Sequence, residues 1–220
     1  MLKIEISEEI RKHCPDFRGA AIYAHVKNSL HNEELWKQID TCIAECKQNL
    51  QIEDIKKNIA IAATRAAYKK CGKDPNRYRP SSEALYRRIV RELPLYQIDT
   101  LVDMINLVSI HTGYSIGGFD VQKIQGDTLT LGIGMADEPY EGIGRGILNI
   151  EGLPVYRDAI GGVGTPTSDN ERTKIDISTT SFLAVINGYS GEQGLKEAVE
   201  YMRSLLREFA YSDNEEVIYF

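Results

Sequence analysis

Gly113 separates two kinds of sequence in this chain. Before it, apolar residues recur at helical spacing: Leu35, Ile39, Ile43 and Cys46 behind a capping Asn32, then Ile55, Ile59, Ala62, Ala63 and Ala66, then Leu101, Ile105 and Val108. After it the apolar runs shorten and glycine-rich turns divide them, which is the pattern of strands. The expected helices are one capped by Asn32, one over 52–71 stopped by Gly72, one capped by Ser81 or Ser82 with Glu83 in its first turn, one over 99–112 and one over 192–211. The expected strands are 2–6, 19–26, 115–120, 128–133, 153–158, 175–177, 181–187 and 216–220. This order fits an α+β fold, helices packed on a mostly antiparallel sheet assembly.

The 220 residues are expected to form a single domain, large enough to bury a real core. No apolar run is long enough to span a bilayer, and the start MLKIEISEEIRK is acidic where a secretory leader needs a basic end and an apolar middle. A cytoplasmic protein with reduced thiols is expected, since Cys14, Cys42, Cys46 and Cys71 show no CxxC spacing. Cys42 and Cys46 share a helix face but lack further ligands at zinc spacing, so no metal or cofactor is expected. The net charge of −6 hides an asymmetry, because the window from Arg65 to Arg91 carries +7 and the remainder −13. That split repels polyanions over most of the surface and admits them at one face, although it also describes solvated helix faces. Neither a membrane nor DNA is an expected partner, and the sequence leaves the oligomeric state open.

The run Val102-Asp103 with Asn106, then Gly113, Gly118-Phe119-Asp120, Lys123-Ile124 and Gly126 resembles the B3/B4 editing domain of the phenylalanyl-tRNA synthetase beta subunit. The segment AIGGVGTPTSDNERTKIDISTTSFLAVI over 159–186 is similar to a second stretch of that family, and RYRPSSEALYRR over 77–88 to its free-standing members. The resemblance covers about 60–188 as the family core, with N- and C-terminal helical additions around it. It implies the fold of that domain, a partner in the acceptor end of a tRNA, and hydrolysis in trans of an ester that joins a wrong amino acid to the tRNA. Two positions depart from the family pattern. Gly117 stands where a histidine is expected and Ala184 where a glutamate reads a tyrosine hydroxyl, so the resemblance implies the substrate class and leaves the amino acid unassigned. A non-catalytic RNA- or amino-acid-binding module and an enzyme for a free amino-acid derivative are the rival readings.

An aminoacyl ester is already activated, so such a site need only hold it, position water and stabilise the oxyanion. Gly161, Gly162 and Gly164 are candidate oxyanion donors or tight turns, and Gly117, Gly118, Phe119 and Asp120 complete the candidate pocket. Asn106 is a candidate pocket residue, while Asp120 fits a structural role better. Asp158 either orients water or satisfies turn amides, and His111 either carries a proton or complements a helix C-terminus. Lys73, Arg77, Arg79, Arg87 and Arg88 are candidate phosphate contacts and Tyr78 a candidate base-stacking ring, with an Arg79–Glu83 ion pair as the structural alternative. The hydroxyls of Thr165 to Ser168 have no histidine or aspartate arranged beside them for nucleophilic catalysis. No P-loop or dinucleotide fingerprint is present, so ATP-driven ligation is not expected.

Overall fold

The computed structural model describes residues 2–220. In chain order the elements are β1 (Lys3–Ile6), α1 (Glu8–His13), β2 (Arg18–His25), α2 (Glu33–Asn49), α3 (Ile59–Lys70), α4 (Ser81–Val90), α5 (Thr100–Thr112), β3 (Ile116–Asp120), β4 (Thr128–Ile133), β5 (Glu141–Gly142), β6 (Gly146–Ile147), β7 (Pro154–Arg157), β8 (Gly162–Gly164), β9 (Ser181–Gly188), α6 (Leu195–Phe209) and β10 (Glu215–Tyr219). The fold is α+β. One sheet, in the order β10-β2-β9-β3, is antiparallel throughout; a second, β1-β4-β7-β8, has one parallel pair, β1 with β4. β5 and β6 form a small ribbon.

Strand alternation builds three layers. On β2 and β9, Ala20, Ile22, Phe182, Ala184 and Ile186 face the helices, where they meet buried residues of α2, α5 and α6. Their neighbours Ala21, Leu183 and Val185 face the other way and pack with Leu129, Leu131, Tyr156 and Val163 of the second sheet. α5 is buried on most of its circumference because it packs against α2, α4, α6 and β3 together. Asp99 caps its start by accepting from the Val102 amide at 2.9 Å, and Gly113 ends it at φ +84°. A Cβ on Gly113 would stand 2.2 Å from Oδ1 of Asn58, the residue that caps α3, so this glycine also lets two helix ends meet.

The structure corrects several sequence expectations. The helix expected over 52–71 is broken: a short 3-10 turn (Ile55–Lys57) precedes α3, because Asn58 caps the amides of Ala60 and Ile61. Neither Ser81 nor Ser82 caps α4; Ser82 Oγ meets Ser115 Oγ at 3.2 Å, and the Ser81 amide donates to the Pro166 carbonyl at 2.8 Å. Residues 175–177 form no strand, and the last helix begins at Leu195 after Gly194 in a left-handed conformation. The segments flanking 60–188 contribute strands as well as helices, with β2 in the middle of the antiparallel sheet.

Candidate functional site

α4 presents different chemistry on two faces. Ser81 and Leu85, one turn apart, line a cleft of about 450 Å³ beside β3. Its walls are aliphatic: Leu85, Val102, Ile105, Ile116 and Ile175. Ala84, Arg87, Arg88 and Arg91 face a neighbouring groove of about 260 Å³ that Arg77, Arg79 and Arg145 complete. The two openings share the turn of the β5–β6 ribbon, which places Ile143 in the cleft and Arg145 in the groove.

Asp169, in the loop that β8 leads into, also lines the cleft. Its Oδ2 accepts from the Gly118 amide at 2.9 Å, and no lysine, arginine or histidine among the described residues forms an ion pair with it. Burial pushes this carboxyl up to about 7, opposed only in part by the Gly118 N–H. Three glycines make room here. A Cβ at Gly164 would be 2.5 Å from the Phe119 ring and 2.8 Å from Asp169 Oδ1; one at Gly117 would be 2.8 Å from the same ring; one at Gly118 would be 2.3 Å from Ile105. Asn106 also lines the cleft, from α5, with its side chain directed away from the buried face of that helix.

The groove's cations are unequally engaged. Glu83, fully buried, holds Arg65 at 2.7 Å and Arg87 at 2.8 Å, with Arg79 at 3.9 Å. Arg88 donates to the Pro94 carbonyl and lies over the Tyr96 ring. Arg77, Arg91 and Arg145 are exposed, and none of them is ion-paired among the described residues. Arg145 escaped the sequence reading because it lies far along the chain, on the ribbon; the fold alone brings it to the groove.

Other candidate residues do not converge on the cleft. His111 is exposed near the end of α5 and packs its ring against Tyr201, 5.0 Å between centroids, so it points to α6. Asp158 is held by Arg172 at 2.8 Å and by the amides of Gln125, Ile160 and Gly161; burial alone would raise its pKa, but these donors hold it below the ordinary carboxylate value. The Gly161 amide is thereby occupied within a turn, and Gly162 is packed under Tyr140. Asp120 accepts from Gln122 N and Thr179 Oγ1, a structural arrangement. Phe119 is fully buried between the sheets and forms no wall. Lys73 is buried, donates to the Asn149 carbonyl at 2.8 Å and covers the Tyr78 ring at 3.9 Å, so neither is free for phosphate or base. Asp169 is the residue sequence reasoning missed. Nothing in its local pattern distinguishes it from a turn aspartate; its signal is the absence of a partner in three dimensions.

Among the described residues no group of three or more His, Cys, Asp or Glu side chains could hold a metal ion, and no helix is long and apolar enough to cross a membrane. Comparison with curated proteins gave no match. Among solved structures, the chain is similar to an N-terminal fragment of the phenylalanyl-tRNA synthetase beta subunit from Pyrococcus horikoshii, at TM-score 0.50 and 13% identity. That likeness covers 98% of this chain and 50% of the fragment, so the chain spans about half the length of the structure it matches. It carries the fold. The family profile described as the B3/4 domain matches residues 63–209, well over half of the chain, and the chain belongs to the B3/4 domain family.

Proposed function

We propose that this protein binds the aminoacylated 3′ end of a tRNA and hydrolyses the ester of a mischarged amino acid. The observation that carries this reading is the adjacency across α4 of an arginine-lined groove and an aliphatic cleft. Guanidinium groups pair with phosphate oxygens in fixed geometry, so a groove of this kind holds a nucleic-acid backbone. The cleft beside it takes the esterified end. Its volume lies in the range of small-ligand sites.

The chemistry asks little of the protein. Water adds to the ester carbonyl carbon and gives up a proton, the tetrahedral oxyanion collapses, the bond to the ribose oxygen breaks, and that oxygen takes up the proton as the tRNA hydroxyl leaves with the free amino acid. The Asn106 amide supplies an N–H donor for the oxyanion, and the aliphatic walls exclude bulk water, which strengthens that bond. The whole of residues 1–220 acts as one unit in this reading, in the cytoplasm where charged tRNAs are found.

Release of amino acid from a panel of correctly and wrongly charged tRNAs, with protein far below substrate, tests the reading. Turnover on a mischarged tRNA supports it and names the substrate. A second reading, a binder without hydrolysis, is favoured by the two departures from the family pattern: Gly117 is enclosed by Phe119 and Asp169, and Ala184 is fully buried. Absence of turnover together with salt-sensitive protection of the ester would favour that binder, and neither effect would remove tRNA from consideration.

A further inference from the structure

The charged residues of the cleft are settled by protein partners, with one exception. Lys174 is neutralised by Glu171 at 2.5 Å, Asp176 by Lys123 at 2.5 Å, and Asp99 caps α5. Tyr140, whose phenol lies near Asp169, donates to the Ser168 carbonyl at 2.7 Å and leaves the carboxylate alone. Asp169 has the Gly118 amide on Oδ2 and no cation. A carboxylate set into apolar surroundings without a counter-charge is unfavourable, and a ligand that brings a cation relieves it.

The carboxylate is also fixed in place. Gly117 and Gly164 let it lie against Phe119, with room for no Cβ at either position, while the Gly118 N–H orients the other oxygen. The cleft that Asp169 lines is walled by the side chains of Ile105, Ile116, Ile175, Leu85 and Val102. A divalent cation needs several oxygen ligands, and among the described residues no third acidic or imidazole group converges here. An ammonium needs only one carboxylate and a few acceptors. The ligand that matches carries an ammonium next to both a carbonyl and an apolar side chain.

Building on the reading of this cleft as an aminoacyl site, we propose that Asp169 binds the free α-ammonium of the aminoacyl group while the aliphatic walls take its side chain. The substrate class is then an unblocked α-amino acyl ester with an apolar side chain. Nα-acylated esters lose the ammonium and leave the carboxylate unanswered; side chains carrying a charge lose their hydration against aliphatic walls.

The test uses stable amides of 3′-amino-3′-deoxyadenosine carrying leucine, Nα-acetyl-leucine or lysine, titrated into the full chain by calorimetry. The leucyl amide is expected to bind at least tenfold tighter than either of the others, and Asp169→Asn to reduce that preference for the free amine to less than twofold while leaving the acetylated probe unchanged. Equal affinity for leucyl and acetyl-leucyl amides in the unaltered protein overturns the assignment of Asp169 and leaves the tRNA reading standing. If no amide binds and no charged tRNA is held or hydrolysed, both fall.

Discussion

Glu83, fully buried on α4, and Asp169, half-buried in the neighbouring cleft, are two carboxylates that the protein treats in opposite ways. Glu83 is answered from within: two guanidinium groups lie within hydrogen-bonding distance and a third at 3.9 Å. Asp169 receives one backbone N–H and no cation. The first arrangement spends an acid to hold arginines in register, so that the +7 of the basic window becomes a shaped groove and not a diffuse cloud. The second leaves a charge unanswered in the cleft, which fits a group reserved for a ligand. In the proposed reading, backbone binding and recognition of the acyl group trace to the presence and the absence of a counter-charge.

Breaking that contrast at its stronger end gives the largest effect. Glu83→Gln leaves the guanidinium of Arg65, nearly buried, without its partner, and loss of one member of a buried pair costs about 3–5 kcal/mol. Thermal and urea unfolding should show a loss of that order; a loss under about 1 kcal/mol would mean that Pro75 O and Asn76 Oδ1 alone hold Arg65.

Asp169→Asn should move stability the other way, and only above a certain pH. The carboxyl's ordinary value is 3.8 and its value in the folded protein about 7, so between these the folded state keeps a proton that the unfolded chain has released. Stability contributed by this group is therefore complete below about pH 4, falls as pH rises, and levels off above pH 7. At pH 8 the variant should be the more stable by roughly 2 kcal/mol, with about 4 kcal/mol as the upper bound, and the difference should vanish near pH 4. Unfolding curves of both proteins across pH 4 to 8 decide it; a pH-independent difference would remove the ionised carboxylate as its cause.

These two residues also mark how much was legible beforehand. Most of the helix and strand order, the cap at Asn32, the stop at Gly113 and the α+β class follow from local pattern, because periodicity and capping depend on near neighbours. The arginine cluster was visible as a charge run, but its division into held and free members was not: Arg65 reaches Glu83 across 18 positions, and Arg145 comes from another element. Lys73 and Tyr78 looked like neighbours available to a nucleic acid and instead satisfy each other, a contact that composition does not encode. Asp169 was passed over for the hydroxyls that precede it, since the lack of a partner is a property of the fold.

Gly117 and Ala184 sharpen the comparison at the next level. The family pattern invites their replacement by histidine and glutamate, yet both positions are packed. A side chain at Gly117 meets the Phe119 ring at 2.8 Å and Asp169 at 3.3 Å, and Ala184 is fully buried among helix-facing residues. Gly117→Ala alone should cost about 1–3 kcal/mol through overpacking, and should loosen the Asp169 carboxylate from its fixed place. Thermal unfolding measures the cost. A Gly117→His, Ala184→Glu protein that folds as well as the parent would show that these walls yield more than close packing allows.

The smallest effect on stability falls on the free arginines, and there binding and folding separate. Arg91 and Arg145 are exposed and outside the Glu83 network, so replacing both with alanine should change unfolding free energy by no more than about 0.5 kcal/mol. If each meets a phosphate, the slope of log affinity for tRNA against log salt should become shallower by about 0.7–0.9 per arginine removed. Arg87→Ala differs, because it strips Glu83 of a partner and costs stability as well as affinity. Salt titrations of tRNA binding on the two variants set the held arginine against the free ones. An unchanged slope in the Arg91, Arg145 double variant would move the nucleic acid away from this groove, and with it the link that joins the groove to the cleft.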